Sequence, residues 1–161
     1  MTEFQIRALD MADEQTAVTT HRIGRSAYGV EAELIAFDGI PALQETLEEM
    51  RAQPLNWLGA VHENTLAAFI AWREDTDPVE IDRLCVDPQF FRRGLAARLL
   101  THLLDEIVPD RDIVVTTGAA NDPAVTLYKR LGFTRGEDFQ PVPGLTMAYF
   151  EMRRKEADNS A

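Results

Sequence analysis

The residues of this chain whose types and spacing could do chemistry fall into two short stretches. The first, VDPQFFRRGLAARLL from Val86 to Leu100, sets a turn with Arg92, Arg93 and Gly94 between an apolar strand and the start of a long helix. Successive backbone N–H groups in such a turn converge on one point, and the free amides and positive dipole end of the helix reinforce them. That field suits a pyrophosphate. Gly94 admits close backbone approach because it carries no Cβ, Ala96 is nearly as permissive, and the two arginines can neutralise phosphate charge. Taken alone, the same residues also suit a plain turn into an exposed helix.

The second stretch is NDPAVTLYKRLGF, residues 121–133, in which Ala124, Leu127, Tyr128 and Leu131 share one helical face. Tyr128 therefore points into the core or into a cleft. An inward tyrosine serves packing unless a leaving group lies beside its hydroxyl, in which case it is a proton donor. Ahead of the turn, period-two alternation groups Glu80 and Asp82 with Leu84 and Val86 on one face, and Ile81, Arg83 and Cys85 on the other. Glu80 and Asp82 are candidate bases, although solvated carboxylates are common near strand ends. Cys85 in an apolar strand reads as packing, with no histidine near it in sequence to activate a thiolate. His21, His62 and His102 show no paired metal-ligand spacing, so no metal is expected.

These residues need elements to position them. Phe4, Ile6 and Ala8 alternate as a first strand, and Asp10 is the expected N-cap of the next helix. Residues 16–37 read as helix with a break at Ser26 to Gly29, and Pro41 opens a further helix with Leu43, Leu47 and Met50 on one face. Residues 57–61 and 66–72 have hairpin spacing, residues 79–86 form the next strand, and Asp87 and Pro88 break it before a helix over 93–108. Leu95, Leu99 and Leu103 give that helix its buried stripe. A strand over 113–117 precedes a short helix over 123–131, started by Asp122 and Pro123 and stopped by Gly132. Strands around 133–139 and 145–152 flank a turn with Pro141, Pro143 and Gly144. Hairpins mixed with crossover helices predict an α/β (mixed α+β) fold, a mixed central sheet of about seven strands flanked by about four helices.

Composition bounds the function. A length of 161 residues suits one domain, placed here at residues 1–153 with a frayed tail over 154–161. Sixteen basic against twenty-seven acidic residues give a formal charge of −11, which opposes a phosphate backbone and excludes the usual basis for nucleic-acid binding. A cationic partner is favoured instead. No apolar run is long enough for a membrane helix, and MTEFQIRALD carries no hydrophobic signal region, so a cytoplasmic location is expected. The single cysteine excludes an internal disulfide framework.

Together the two stretches resemble the GNAT superfamily of acetyl-CoA-dependent N-acetyltransferases. LCVDPQFFRRGLA is similar to its motif A and NDPAVTLYKRLGF to its motif B, and the likeness runs from Val79 to Phe133. The resemblance implies a single GNAT-like domain that passes acetyl from acetyl-CoA directly to a primary amine in a ternary complex, with no metal. It implies that the backbone of Arg92, Arg93, Gly94, Leu95 and Ala96 holds the coenzyme A pyrophosphate. By the same likeness Leu84, Cys85 and Val86 pair with the pantetheine arm, and Asn121 binds near the thiol end. Tyr128 matches the tyrosine that protonates the departing thiolate, and Glu80 the position of a catalytic glutamate in some members, with Asp82 as substitute. Two positions depart from the family pattern: Phe91 stands where Gln or Arg is usual, and Ala96 replaces the last glycine. Backbone amides bind the phosphates, so the loop geometry should survive both. The acceptor is expected to be a small-molecule or peptide amine, met by Tyr28, Phe37, Trp57, Trp72, Thr116 and residues 139–145; a homodimer is compatible with the pattern. A noncatalytic acyl-CoA-sensing module and a protein N-acetyltransferase are the alternatives.

Overall fold

The computed structural model describes residues 3–36, 39 and 43–154. Strand β1 (Gln5–Ala8) leads into helix α1 (Glu14–Leu34). The N-cap is Asp13 rather than Asp10: its carboxylate accepts from the Thr16 amide at 3.0 Å and the Thr16 hydroxyl at 2.6 Å. Asp10 instead stabilises the preceding turn through the Ala12 amide at 2.9 Å. The break expected at Ser26 to Gly29 does not occur. Burial overrides propensity here, because Ile23, Ala27 and Tyr28 pack on the apolar cluster beneath α1 on both sides of Ser26.

Helix α2 (Leu47–Ala52) starts later than expected. Its start is fixed by a capping box, in which the Thr46 hydroxyl accepts from the Glu49 amide at 3.0 Å and Glu49 reaches back to the Thr46 amide at 2.8 Å. Leu43 precedes the helix, and Phe37 and Pro41 lie outside the described residues.

Strands β2 (Asn56–His62), β3 (Thr65–Arg73) and β4 (Val79–Val86) form an antiparallel meander. A short 3-10 turn (Pro88–Phe90) then leads to α3 (Leu95–His102), which continues into one π turn (Leu103–Ile107). The predicted stripe of Leu95, Leu99 and Leu103 is buried. Strand β5 (Ile113–Gly118), helix α4 (Asp122–Arg130) and strands β6 (Thr134–Arg135), β7 (Phe139–Val142) and β8 (Leu145–Met152) complete the chain. The strand expected over residues 133–139 is thus split. Arg135 folds back onto Asp138 at 3.0 Å, and Pro141 removes a ladder donor from β7. The eight strands run β1-β2-β3-β4-β5-β8-β6, with β7 paired to β8, in a mixed α/β architecture.

The sheet has a core on each face. Helices α3 and α4 cover a cluster with Ile70, Val79, Leu99, Phe133 and Phe150, and α1 and α2 cover one with Ile23, Met50, Trp57, Phe69 and Cys85. Arg154, expected in the frayed tail, is anchored: its guanidinium donates to the carbonyls of Leu104 at 2.7 Å and Arg111 at 3.0 Å, and its amide to Asp112 at 2.7 Å. Residues 155–161 lie outside the described residues. Among the described residues, no helix is long and apolar enough to cross a membrane.

Candidate active site

The two motif stretches lie at the edges of a gap in the sheet. Strands β4 and β5, the one parallel pair among the described strands, share only two register pairs, Val79 with Ile113 and Glu80 with Val114. Beyond Glu80 they part, while β4 stays paired to β3 through Val86. The β5-facing backbone edge from Ile81 to Val86 is therefore open, which is what an extended chain of amides needs in order to add to a sheet.

The end of β4 feeds the turn. Asp87, 3% exposed, accepts from the Gln89 amide at 3.1 Å and fixes the 3-10 turn. Arg92 and Gly94 then adopt left-handed backbone, at φ 67° and 71°. Only glycine takes that conformation at no steric cost, and nothing lies within 4 Å of where a Gly94 Cβ would stand. Gly94 caps α3, and the amides of Gly94, Leu95, Ala96 and Ala97 meet no acceptor among the described residues. They form an open cradle of donors at the positive end of a helix. Arg92 is exposed, whereas the Arg93 guanidinium rests over the Phe90 ring at 5.9 Å. Ala96 is compatible with this geometry because the donors are backbone groups.

Where the strands part, a cleft of about 410 Å³ opens. Tyr28, Glu31 and Ile35 reach it from α1, Ile81 to Leu84 from β4, Val115 to Thr117 from β5, Asn121, Ala124 and Tyr128 from α4, and Leu145 and Met147 from β8; Glu45 and Gln53 close one side. Helices on opposite faces of the sheet meet here only because the sheet is interrupted. A larger hollow of about 670 Å³ near Asp10, Arg51, Asn56 and Trp72 gathers none of the donor-site candidates.

Tyr128 is 5% exposed, its ring packed 5.5 Å from those of Phe133 and Phe150. Its hydroxyl meets no acceptor among the described residues, in which every fully enclosed side-chain N or O atom has a partner, so the hydroxyl opens onto the cleft. Burial pushes the phenol well up, helped by the charge of Glu31 and by Cys85, and keeps it protonated. Asn121 lines the cleft too, but its side-chain oxygen caps α4 through the Ala124 amide at 3.3 Å, so the N-cap is Asn121 rather than Asp122.

Glu80 lies elsewhere. Strand β4 carries a bulge at Asp82, since Trp72 pairs with Ile81 and Ala71 with Arg83. The extra residue reverses the alternation, and Val79, Ile81, Leu84 and Val86 share the face toward α3 and α4. The expected grouping of Glu80 and Asp82 with Leu84 and Val86 fails for this reason. Glu80 is exposed at the closed end of the β4–β5 pair and is not a lining residue, whereas Asp82 is. Cys85 is 2% exposed on the opposite face, and burial pushes its thiol up to about 12. A nucleophilic thiolate has no support there. Among the described residues, no group of three or more His, Cys, Asp or Glu side chains is poised to hold a metal.

The other wall is built around Arg83. It donates to Glu45 at 2.7 Å and to Asp82 at 2.6 Å, and its guanidinium lies 5.5 Å over the Trp57 ring. Burial opposes its charge, but the hydrogen bond to Glu45 and the nearby acidic groups outweigh that and raise its pKa. Glu31, Glu45 and Thr117 are site residues that motif reading misses. Glu31 carries one signal: it lies on one helical face with Tyr28 and Ile35 once α1 is continued through Ser26.

The family described as FR47-like protein matches residues 57–139. The chain is 35% identical over 129 residues to the UPF0157 protein YqkA of Bacillus subtilis, an alignment covering 80% of this chain and 38% of YqkA. It is 30% identical over 112 residues to the [ribosomal protein bS18]-alanine N-acetyltransferase of Escherichia coli strain K12, covering 67% of this chain and 72% of that enzyme. Among solved structures, PaiA N-acetyltransferase of Thermoplasma acidophilum in complex with coenzyme A superimposes with a TM-score of 0.72 at 16% identity, over 91% of this chain and 98% of that one. The likeness in structure extends well beyond the two motif stretches.

Proposed function

Because the chain belongs to the FR47-like family, a GNAT-like group, we propose that it is an N-acetyltransferase that passes acetyl from acetyl-CoA to an amine by direct transfer. The observation that carries the reading is the parting of β4 and β5 after two register pairs, with a cradle of free amides at one end of the gap and the Tyr128 hydroxyl in it. The coenzyme A pyrophosphate would be met by the backbone of residues Arg92 to Ala96, and the pantetheine amides by the open edge at Leu84 to Val86. Asn121 would contribute near the thioester, from a position already spent on capping α4.

In this reading the acceptor ammonium gives one proton to solvent before attack, and the nitrogen lone pair forms the C–N bond as the C–S bond breaks. The thiolate takes the Tyr128 proton, and the second nitrogen proton restores the tyrosine through solvent. Much of the rate comes from holding the reactants together. A relative named as a [ribosomal protein bS18]-alanine N-acetyltransferase supports a protein or peptide amine as the acceptor.

The test follows free thiol release from acetyl-CoA with a panel of amines, polyamines, amino acids and peptides. Acetyl-dependent thiol release with at least one amine is expected. Acetyl-CoA at about a hundred times its Kd should also stabilise the protein by about 2.7 kcal/mol. Equal stabilisation by acetyl-CoA, NAD and ATP, with no transfer to any amine, would reduce the site to a generic phosphate cradle.

A further inference from the structure

The cleft has charge to spare on one side. Its lining holds the carboxylates of Glu31, Glu45 and Asp82 against the single guanidinium of Arg83. Arg83 is committed to two of them, at 2.7 Å to Glu45 and 2.6 Å to Asp82. Glu31 has no cation among the described residues. One of its oxygens accepts long hydrogen bonds from the Thr117 hydroxyl at 3.3 Å and the Gly118 amide at 3.5 Å, and Asn121 in turn donates to Thr117 at 3.5 Å. These contacts orient the carboxylate without neutralising it.

An acidic lining alone would say little. The second observation is Tyr128, buried to 5% exposure, with its hydroxyl turned into the same cleft and no acceptor among the described residues. Glu31 on α1 and Tyr128 on α4 thus face one space from opposite faces of the sheet, through the gap between β4 and β5. The tyrosine phenol feels the Glu31 charge, which fits their shared position.

We propose that Glu31 binds the ammonium of the acceptor and makes the cleft select amines that carry no carboxylate beside the nitrogen. An amine beside an amide or an alkyl chain meets Glu31 with its positive charge alone. A free amino acid brings its own carboxylate against Glu31 and the excess negative charge of the Glu45, Arg83 and Asp82 group, and like charges at a partly desolvated site cost affinity. The inference rests on the acetyltransferase reading and names its acceptor class.

The experiment uses alaninamide and alanine, which differ in that carboxylate and in amine basicity, so transfer is compared per unprotonated amine, with wild type, Glu31→Gln and Glu31→Asp. Both binding to the coenzyme-A-loaded protein, by NMR titration, and steady-state transfer are measured. Wild type should favour alaninamide by roughly tenfold or more in kcat/KM, the scale of one lost or reversed charge contact. Glu31→Gln should raise the alaninamide KM roughly tenfold and narrow the preference, with the acetyl-CoA KM and melting temperature unchanged, and Glu31→Asp should restore part of the affinity. Equal use of the two acceptors by wild type, or an unchanged alaninamide KM in Glu31→Gln, overturns the inference and leaves the transferase reading intact. Glu31-dependent binding of alaninamide without any transfer keeps the inference and removes the transferase reading. Neither binding nor transfer of alaninamide by wild type overturns both.

Discussion

The two walls of the cleft are made of different material. The donor wall, the open edge of β4 and the turn into α3, offers backbone amides from one continuous stretch of chain, fixed by the left-handed Gly94 and the Asp87 cap. The opposing wall is made of side chains from separate elements: Glu31 from α1, Glu45 ahead of α2, Arg83 from β4 and Thr117 from β5. A backbone wall depends on conformation and tolerates changes of side chain that leave it alone. A side-chain wall depends on each partner, because removing one strands the others. Substitutions should therefore act differently on the two sides.

The largest effect is expected at Arg83. Arg83→Ala leaves Glu45, whose side chain is 13% exposed, without its cation, and stability should fall by about 3 kcal/mol in a denaturant titration. A loss below about 1 kcal/mol would show that the pair is screened as surface pairs are. Tyr128→Phe comes next and bridges the walls. It keeps the ring packing against Phe133 and Phe150 and deletes only the proton donor, so acetyl-CoA affinity and melting temperature should hold. Single-turnover transfer should fall by roughly 10²-fold. Full activity would remove Tyr128 from the mechanism, and unfolding would return it to the core.

On the donor wall the expected effect is smaller and confined to binding. Gly94→Val puts a branched side chain in the open space of the cradle at φ 71°. Backbone strain should cost about 1–2 kcal/mol of stability, and acetyl-CoA affinity should fall roughly tenfold or more. Normal affinity in the folded variant would move the cradle elsewhere.

The smallest effect on transfer is expected at Cys85, which is buried in the cluster beneath α1 and α2 and does not line the cleft. Cys85→Ala should leave single-turnover transfer unchanged, and a large loss would reopen a covalent route. Burial pushes its thiol up from an ordinary 9.0 to about 12 in the fold. Its contribution to stability is therefore complete below pH 9 and is lost as pH climbs toward 12. Melting curves of Cys85→Ala should fall less steeply with pH over that window than those of wild type.

The contrast between the walls also explains what could be read from the residues. The donor side is contiguous, and glycine, proline and the arginines mark its turn directly. The hairpin of β2 and β3, the stripe of α3 and the end of α4 at Gly132 follow from the same local signals. The side-chain wall depends on two events that local pattern does not report. One is the persistence of α1 through Ser26 and Gly29, which the packing of Ile23, Ala27 and Tyr28 supports and which carries Glu31 to the cleft. The other is the bulge at Asp82, which reverses the faces of β4 and separates Glu80 from Leu84 and Val86. Alternation alone assumes a regular strand, and one extra residue inverts every assignment before it.

The most direct test of the central claim is a crystal structure of the protein soaked with coenzyme A. The expected result has the pyrophosphate on the backbone of Arg92 to Ala96, the pantetheine along the open edge of β4, and the sulfur within hydrogen-bond reach of the Tyr128 hydroxyl. Coenzyme A in the hollow beside Arg51 and Asn56, or in the cradle with its thiol turned away from Tyr128, would contradict it.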